Sequence, residues 1–210
     1  MTALLKKDVE YTLEEYIELE KISEERLLFK RSKIYNLSDE SIEHCVISGN
    51  ILFQLKSKSS KIGKRVFSSN LKLKVPNYPS YLYADGSAVV EKPQTENFFD
   101  FEFLTNPGLI VEVLSDSTKS FDLGDKFTYY KSIESFTEYL LIDQDRPHVI
   151  LYTKQAENVW LQREYNVLTD TVYLNSLDCE INLTDIYENI EFSNPDHPKF
   201  GVGLEREARN

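Results

Sequence analysis

The 210-residue sequence has little cysteine and no long hydrophobic run. Its two cysteines, Cys45 and Cys179, lie far apart without C-x-x-C spacing, which argues against a zinc site or a disulfide framework. No stretch approaches the roughly 20 apolar residues of a membrane-spanning helix. Acidic residues stand in the N-terminal segment where a signal peptide would be apolar. We therefore expect a soluble, cytoplasmic protein that does not enter the membrane.

Several catalytic motifs are also absent. The sequence contains no G-x-S-x-G, no P-loop and no G-x-G-x-x-G. The three histidines, His44, His148 and His197, share no metal-ligand spacing. We expect His44, which lies in a helical segment beside a cysteine, to be a structural or surface residue and not a catalyst.

Basic residues are concentrated in one segment of an otherwise acidic chain. The net charge of −11 argues at first against nucleic acid, yet residues 51–80 contain no acid. Just upstream, residues 26–33 add four further cations. The pattern predicts a phosphate-binding surface, and the alternative is a solvated helix end with an edge strand protected by lysines. The predicted nucleic-acid-binding residues are Lys56, Lys58, Lys61, Lys64, Arg65, Lys72 and Lys74.

Composition and patterning predict one α/β or α+β domain over residues 1–192 and a polar tail at 193–210. Thr12 and Glu15 have the spacing of a capping box before a first helix. A third helix is expected from about Thr118 to Ile133. The second helix follows Ser38, and its predicted apolar face consists of Ile42, Cys45, Val46, Gly49, Leu52 and Phe53.

The expected strands make up a mixed central sheet. "LLFKRSKIY" is predicted as a strand or hairpin, and "EKPQTENFFDFEFLTNP" as a polar connection between strands. "LTDIYENI" is predicted as a last short helix. The other predicted strands are "NLKLKV", "YLYADGSAVV", "GLIVEVLS", "FTEYLLID", "HVILYTK" and "VWLQREY".

Two carboxylates occur in successive predicted strands. Glu112 interrupts the apolar run "LIVEVLS", although burying an unpaired charge costs several kcal/mol. The period of two places Glu112 on the strand face of Ile110 and Leu114. Asp85 is followed by Gly86, which leaves space beside it. If the two strands are neighbours in register, Asp85 and Glu112 meet on one side of the sheet, where they would suit Mg²⁺ and phosphodiester hydrolysis.

Lys126 is the candidate cation for such a site. It flanks the apolar stripe of the third helix, next to Phe127, and could lean over the sheet toward the attacking water or the scissile phosphate. The alternative is an i,i+4 salt bridge with Asp122, which would contribute only a few tenths of a kcal/mol.

The segments "YTLEEYIELE", "SDESIEHCVISGNILFQL", "RVFSSNLKLKV" and the long block from Leu109 to Tyr152 resemble the Uma family, a branch of the restriction-endonuclease-like PD-(D/E)XK nucleases. The resemblance implies a central mixed β-sheet flanked by helices, a homodimer, and a hydrolase that cleaves DNA with Mg²⁺ or Mn²⁺. In the family's pattern the strand aspartate matches Asp85 and the strand glutamate matches Glu112. The usual lysine is replaced by Leu114, and its role is expected to have moved to Lys126.

This chain departs from the family's pattern at several positions. Leu28 stands where an assisting acid is expected, and Arg31 and Ser32 replace an Asp-Gly turn. The family's Pro-Asp pair is Ala84-Asp85, and Asn70 occupies a position that is often acidic.

Three hypotheses follow. The first is a Mg²⁺-dependent DNA endonuclease, in which Asp85, Glu112 and the Val113 carbonyl bind the metal and Lys126 positions the water. The second is a nuclease fold that lost turnover and acts as a nucleic-acid-binding or regulatory module, which Leu28 would favour. The third is a structural or partner-binding protein, which the acidic net charge would favour.

Overall fold

Helices pack on a six-stranded mixed sheet in the computed structural model, which describes residues 9–36, 40–59, 64–79, 81–98 and 101–192. The predicted polar tail at 193–210 lies outside the described residues, as does Lys61. The described helices are α1 (Leu13–Ile22), α2 (Ile42–Ser59), α3 (Lys119–Phe121), α4 (Phe127–Tyr130) and α5 (Leu183–Ile186), with a π-helical turn at Asp122–Lys126 between α3 and α4.

The described strands are β1 (Leu27–Lys30), β2 (Lys33–Asn36), β3 (Arg65–Ser68), β4 (Lys72–Lys74), β5 (Tyr81–Tyr83), β6 (Gly86–Val89), β7 (Thr95–Phe98), β8 (Phe101–Leu104), β9 (Leu109–Leu114), β10 (Glu138–Asp143), β11 (Val149–Ala156), β12 (Val159–Tyr165), β13 (Thr171–Leu174) and β14 (Cys179–Asn182). The central sheet has the order β12-β11-β10-β9-β6-β3, in which only β9 and β10 run parallel. A four-stranded sheet has the order β5-β4-β8-β7, and β1-β2 and β13-β14 form separate hairpins.

Strand β9 is buried on both faces, which explains its nearly continuous apolar sequence. On one face, Val111 and Val113 belong to a core cluster with residues of α2 and α5. On the other face, Ile110 and Leu114 belong to a second cluster with residues of α4 and β4. This second face is the one that also carries Glu112, as the period of two predicts.

The N-terminal predictions are confirmed. Thr12 and Glu15 form both hydrogen bonds of a capping box at the start of α1. "LLFKRSKIY" forms the antiparallel β1–β2 hairpin, whose two turn residues, Arg31 and Ser32, have φ angles of 51° and 60°. The turn is therefore made in the left-handed region without a glycine.

The predicted apolar face of α2 is wrong. The side of the helix that packs on the sheet carries Ile47, Ile51 and Leu55, all almost fully buried. Ile42 is 79% exposed and Phe53 is 68% exposed. Both sides of this helix carry apolar residues, so the spacing was compatible with either orientation, and packing against β9 selects the other one.

Two further predictions need correction, and one element was missed. "YLYADGSAVV" is not one strand, because β5 and β6 belong to different sheets and separate at Ala84 and Asp85. The predicted polar connection contains the β7–β8 hairpin, since its aromatic residues alternate with polar ones. The β13–β14 hairpin was not predicted, and it contributes Val172, Leu174 and Ile181 to the first core cluster.

No helix among the described residues is both long enough and apolar enough to cross a lipid bilayer.

Candidate active site

A cleft of about 530 Å³ opens where β9 ends, between the start of α2 and the π-helical turn. The break between β5 and β6 brings Asp85 to it, and β9 brings Glu112. The antiparallel β6–β9 ladder ends where Gly86 pairs with Val111, and Asp85 follows at the break, within hydrogen-bond distance of the Val113 N–H. The two carboxylates predicted from the sequence line one cleft, although Asp85 lies at the break between β5 and β6 and not inside a strand.

Glu112 is held by two groups from the helical segment that covers the sheet. Its side chain is 3% exposed. The Tyr130 hydroxyl donates to Oε1 at 2.9 Å, and Lys126 Nζ lies 2.8 Å from the same oxygen. Burial raises the pKa of Glu112 to about 8, although the charge of Lys126 opposes this shift.

Lys126 makes the salt bridge with Asp122 that the sequence offered as one alternative, and it also contacts Glu112. Its Nζ lies 2.8 Å from Glu112 and 3.2 Å from Asp122 Oδ1. Burial acts to lower the pKa of this ammonium group, but the neighbouring charges of Asp122 and Glu112 raise it above its usual value. Lys126 lies in the π-helical turn, and such irregular turns often occur at functional sites.

Asp85 is fixed by hydrogen bonds to two different elements. Its Oδ2 accepts the Val113 backbone N–H at 2.7 Å and lies 3.2 Å from His44 Nε2. Burial acts to raise the pKa of Asp85, but the hydrogen bond and charge of His44 hold it below its usual value. Val113, the predicted source of a carbonyl ligand, thus lines the cleft beside Asp85.

His44 is the residue that the sequence interpretation missed. It is 6% exposed, and its ring lies between Asp85 and Glu40, with Nδ1 3.6 Å from Glu40 Oε2. Burial acts to lower the pKa of His44, but the hydrogen bond to Asp85 raises it above its usual value. His44 lies on the same helix face as Ile47 and Ile51, so a correct choice of the buried face would have placed it inside.

Glu40, His44 and Asp85 each offer a metal-ligand atom, and these atoms lie within 4.8 Å of one another. The two ring nitrogens of His44, however, face different carboxylates, Nδ1 toward Glu40 and Nε2 toward Asp85. A metal ion shared by all three residues would have to bind a single ring nitrogen of His44. The arrangement therefore fits a histidine that orients Asp85 better than a histidine that binds a metal ion together with both acids.

The predicted basic surface is not part of this cleft. None of its six described residues lines the cleft. Lys58 and Lys64 donate to the backbone carbonyls of Glu180 and Ser176. Lys74 pairs with Glu96 at 2.7 Å, and Lys72 lies over aromatic rings of the four-stranded sheet. The nucleic-acid-binding role of this segment stays a prediction.

The fold, a mixed central β-sheet flanked by helices, has a counterpart among solved structures. It matches the crystal structure of a "putative nuclease belonging to DUF820" from Anabaena variabilis with a TM-score of 0.65, over 84% of this chain and 97% of that one. The sequence identity of 17% means that this likeness shows the fold alone.

Residues 13–184 match the Uma2 family, described as "Putative restriction endonuclease", and the chain belongs to that family. Two Synechocystis proteins are similar to it. The protein sll1609 is 33% identical over 73% of this chain and 86% of its own length, and slr1290 is 30% identical over 85% of this chain and 92% of its own length. Family membership supports a nuclease, and hence a hydrolase that binds nucleic acid.

Proposed function

We propose that this protein is a metal-dependent DNA endonuclease that uses Mg²⁺, or Mn²⁺ in its place. The observation that carries the proposal is the group of Asp85, Glu112 and Lys126 in one cleft, where the lysine lies 2.8 Å from the buried Glu112. Family membership supports the nuclease class. In this proposal Asp85, Glu112 and the Val113 carbonyl hold the cation.

The donor set of the cleft fits a hard divalent cation. Carboxylate and carbonyl oxygens are the ligands that Mg²⁺ and Mn²⁺ prefer. Five carboxylates line the cleft, those of Glu40, Asp85, Glu112, Asp116 and Asp122. The raised pKa of Glu112 reflects a charge that burial disfavours. A bound cation would polarise a phosphoryl oxygen and lower the pKa of a bound water.

The residues of the cleft supply a positive charge and orient the proposed metal ligands. Lys126 presents an ammonium group that would hold the attacking water or the scissile phosphate, while Glu112 and Asp122 fix its side chain. His44 orients Asp85, and the Tyr130 hydroxyl orients Glu112. Hydrolysis breaks one phosphorus–oxygen bond, adds the oxygen of water to phosphorus, and leaves the departing oxygen with a proton.

A binding module without turnover is the second candidate. Leu28 stands on β1 where the family pattern has an acid, and its side chain packs against the second core cluster. The carboxylate that the family pattern has at this position of β1 is therefore missing. A binding module would keep affinity for DNA and lose cleavage.

Nicking of supercoiled plasmid distinguishes these candidates. The wild type, Glu112→Gln and Asp85→Asn are compared with MgCl₂, MnCl₂ or EDTA, with Glu91→Gln as a control for an exposed carboxylate outside the cleft. The proposal predicts nicking that needs the metal, is lost in both cleft variants and persists in the control. Plasmid binding without nicking by the wild type would refute the endonuclease and favour the binding module.

A further inference from the structure

The β1–β2 hairpin carries a concentration of positive charge beside the cleft. The segment from Arg26 to Asn36 has four cations and no acid, in a chain whose net charge is −11. Arg26 and Asn36, at the base of the hairpin, line the cleft together with Asp85 and Glu112. A nucleic acid that enters this cleft would therefore contact a basic element at its rim.

The tip of the hairpin directs basic side chains outward. Arg31 forms the turn with Ser32, and its side chain is 77% exposed. The turn is tied to the segment before α1, because the Tyr11 N–H donates to the Ser32 carbonyl at 2.7 Å. Lys33, the first residue of β2, is also exposed and makes no ion pair with the residues that the structure describes.

Two cations of the hairpin bridge to the helical segment that carries Lys126. Lys30 and Arg31 lie 3.3 Å and 3.2 Å from Asp125 Oδ2. Lys30 also lies over the Phe121 ring, 3.8 Å from its centre. Asp125 directly precedes Lys126, so the hairpin tip lies beside the turn that presents the candidate lysine. Ion pairs this exposed are weak, and a DNA phosphate could replace Asp125 as the partner of Arg31.

We infer that the β1–β2 hairpin binds the phosphate backbone of DNA at the rim of the cleft, through Arg31 and Lys33. The inference rests on the proposed nuclease function and assigns its substrate contacts to a surface other than residues 56–74. The hairpin then positions the duplex, while the scissile phosphate enters the cleft beside Lys126.

The salt dependence of DNA binding tests this assignment. Affinity for a fluorescein-labelled DNA duplex is measured by anisotropy across a salt series, with Ca²⁺ in place of Mg²⁺. The variants are Arg31→Ala, Lys33→Ala and the double variant. Lys92→Ala, an exposed lysine in the β6–β7 connection, is the matched control, and the pair Lys56→Ala/Arg65→Ala tests the alternative surface.

Each lost phosphate contact should lower the slope of log affinity against log salt by about 0.9 and weaken binding about threefold or more at low salt. The double variant should lose about twice that slope. Lys92→Ala and the Lys56/Arg65 pair should match the wild type.

Two results would overturn the inference in distinguishable ways. A wild type that binds DNA, with hairpin variants that bind equally well or with a loss confined to the Lys56/Arg65 pair, contradicts the hairpin assignment alone. A wild type without any salt-dependent affinity for DNA contradicts the proposed function as well.

Discussion

Replacing Lys126 with methionine would remove the cation shared by two buried acids while keeping the length of the side chain. Lys126 Nζ lies 2.8 Å from Glu112 and 3.2 Å from Asp122, and both acidic side chains are 3% exposed. In urea denaturation at pH 9, above the pKa of Glu112, removing one partner of this buried pair should cost about 3–5 kcal/mol, because the other charge stays buried without compensation. For a chain of this size we expect the Tm to fall by about 6–20 °C.

The cost should depend on pH. Burial already raises the pKa of Glu112 from 4.5 to about 8 with Lys126 present, and removing the lysine raises it further. A carboxyl group whose pKa is raised by folding stabilises the fold below its unfolded pKa, and that contribution is lost as pH rises through the folded pKa. Both proteins should therefore lose stability as the pH rises from about 4.5, but the loss ends near pH 8 in the wild type and continues above it in Lys126→Met. The cost of the substitution should therefore grow above about pH 8.

Urea denaturation followed by the fluorescence of Trp160, the single tryptophan, measures this cost. Trp160 packs against Phe127 and Phe136 and should report the unfolding of this region. Adding Glu112→Gln to Lys126→Met should restore part of the stability, because one uncompensated charge is removed. Lys92→Met should stay within about 0.5 kcal/mol of the wild type. A cost below about 1 kcal/mol for Lys126→Met would refute the buried charge cluster.

Three other predictions follow from the contacts around the cleft. Asp143→Asn should cost about 1.5–3 kcal/mol at pH 7 in urea denaturation, because it removes a buried carboxylate that accepts hydrogen bonds from Lys119 and Arg146. Burial acts to raise the pKa of Asp143, but hydrogen bonds from His148 and Lys119 hold it below its usual value. The wild type should therefore lose this advantage as the solution is acidified from pH 4, and an equal cost at pH 3 would contradict the assignment. His44→Gln should slow nicking by about 10-fold to 100-fold, because it removes the contact that His44 makes with Asp85. Unchanged kinetics would show that His44 does not act in the site. Gly86→Ala should cost about 1–2 kcal/mol, because its new Cβ would lie 2.8 Å from Leu52 Cδ2, and Leu52→Ala in the same chain should relieve that clash if the reasoning holds.

The two carboxylates of the cleft could be found from sequence because strand geometry is simple and Asp85 directly precedes β6. The period of two assigned Glu112 to a face, and an acid in an otherwise apolar strand stands out against its neighbours. Lys126 followed from the apolar stripe of its helix. The π-helical turn that contains it could not be foreseen, because it arises from the packing of this segment over the sheet.

His44 was missed because α2 has two apolar sides. Its sequence allowed either side to face the sheet, and only tertiary packing selected the side of Ile47 and Ile51. The basic segment shows the opposite difficulty, because residues that are close in sequence can be separated in the fold. Its residues are close in sequence, yet Lys64 and Lys72 belong to different parts of the fold and contact different partners. The predicted homodimer, cytoplasmic location and single domain over residues 1–192 stay predictions.

Plasmid nicking by the wild type and Lys126→Met is the most direct test of the proposed site. It should be run at a temperature where urea denaturation shows both proteins to be folded. We expect nicking by the wild type that requires Mg²⁺ or Mn²⁺ and falls by about 100-fold or more in Lys126→Met, the size expected when a charge that stabilises the transition state is removed. Equal rates for the two proteins, or nicking by the wild type that persists in EDTA, would contradict this expectation.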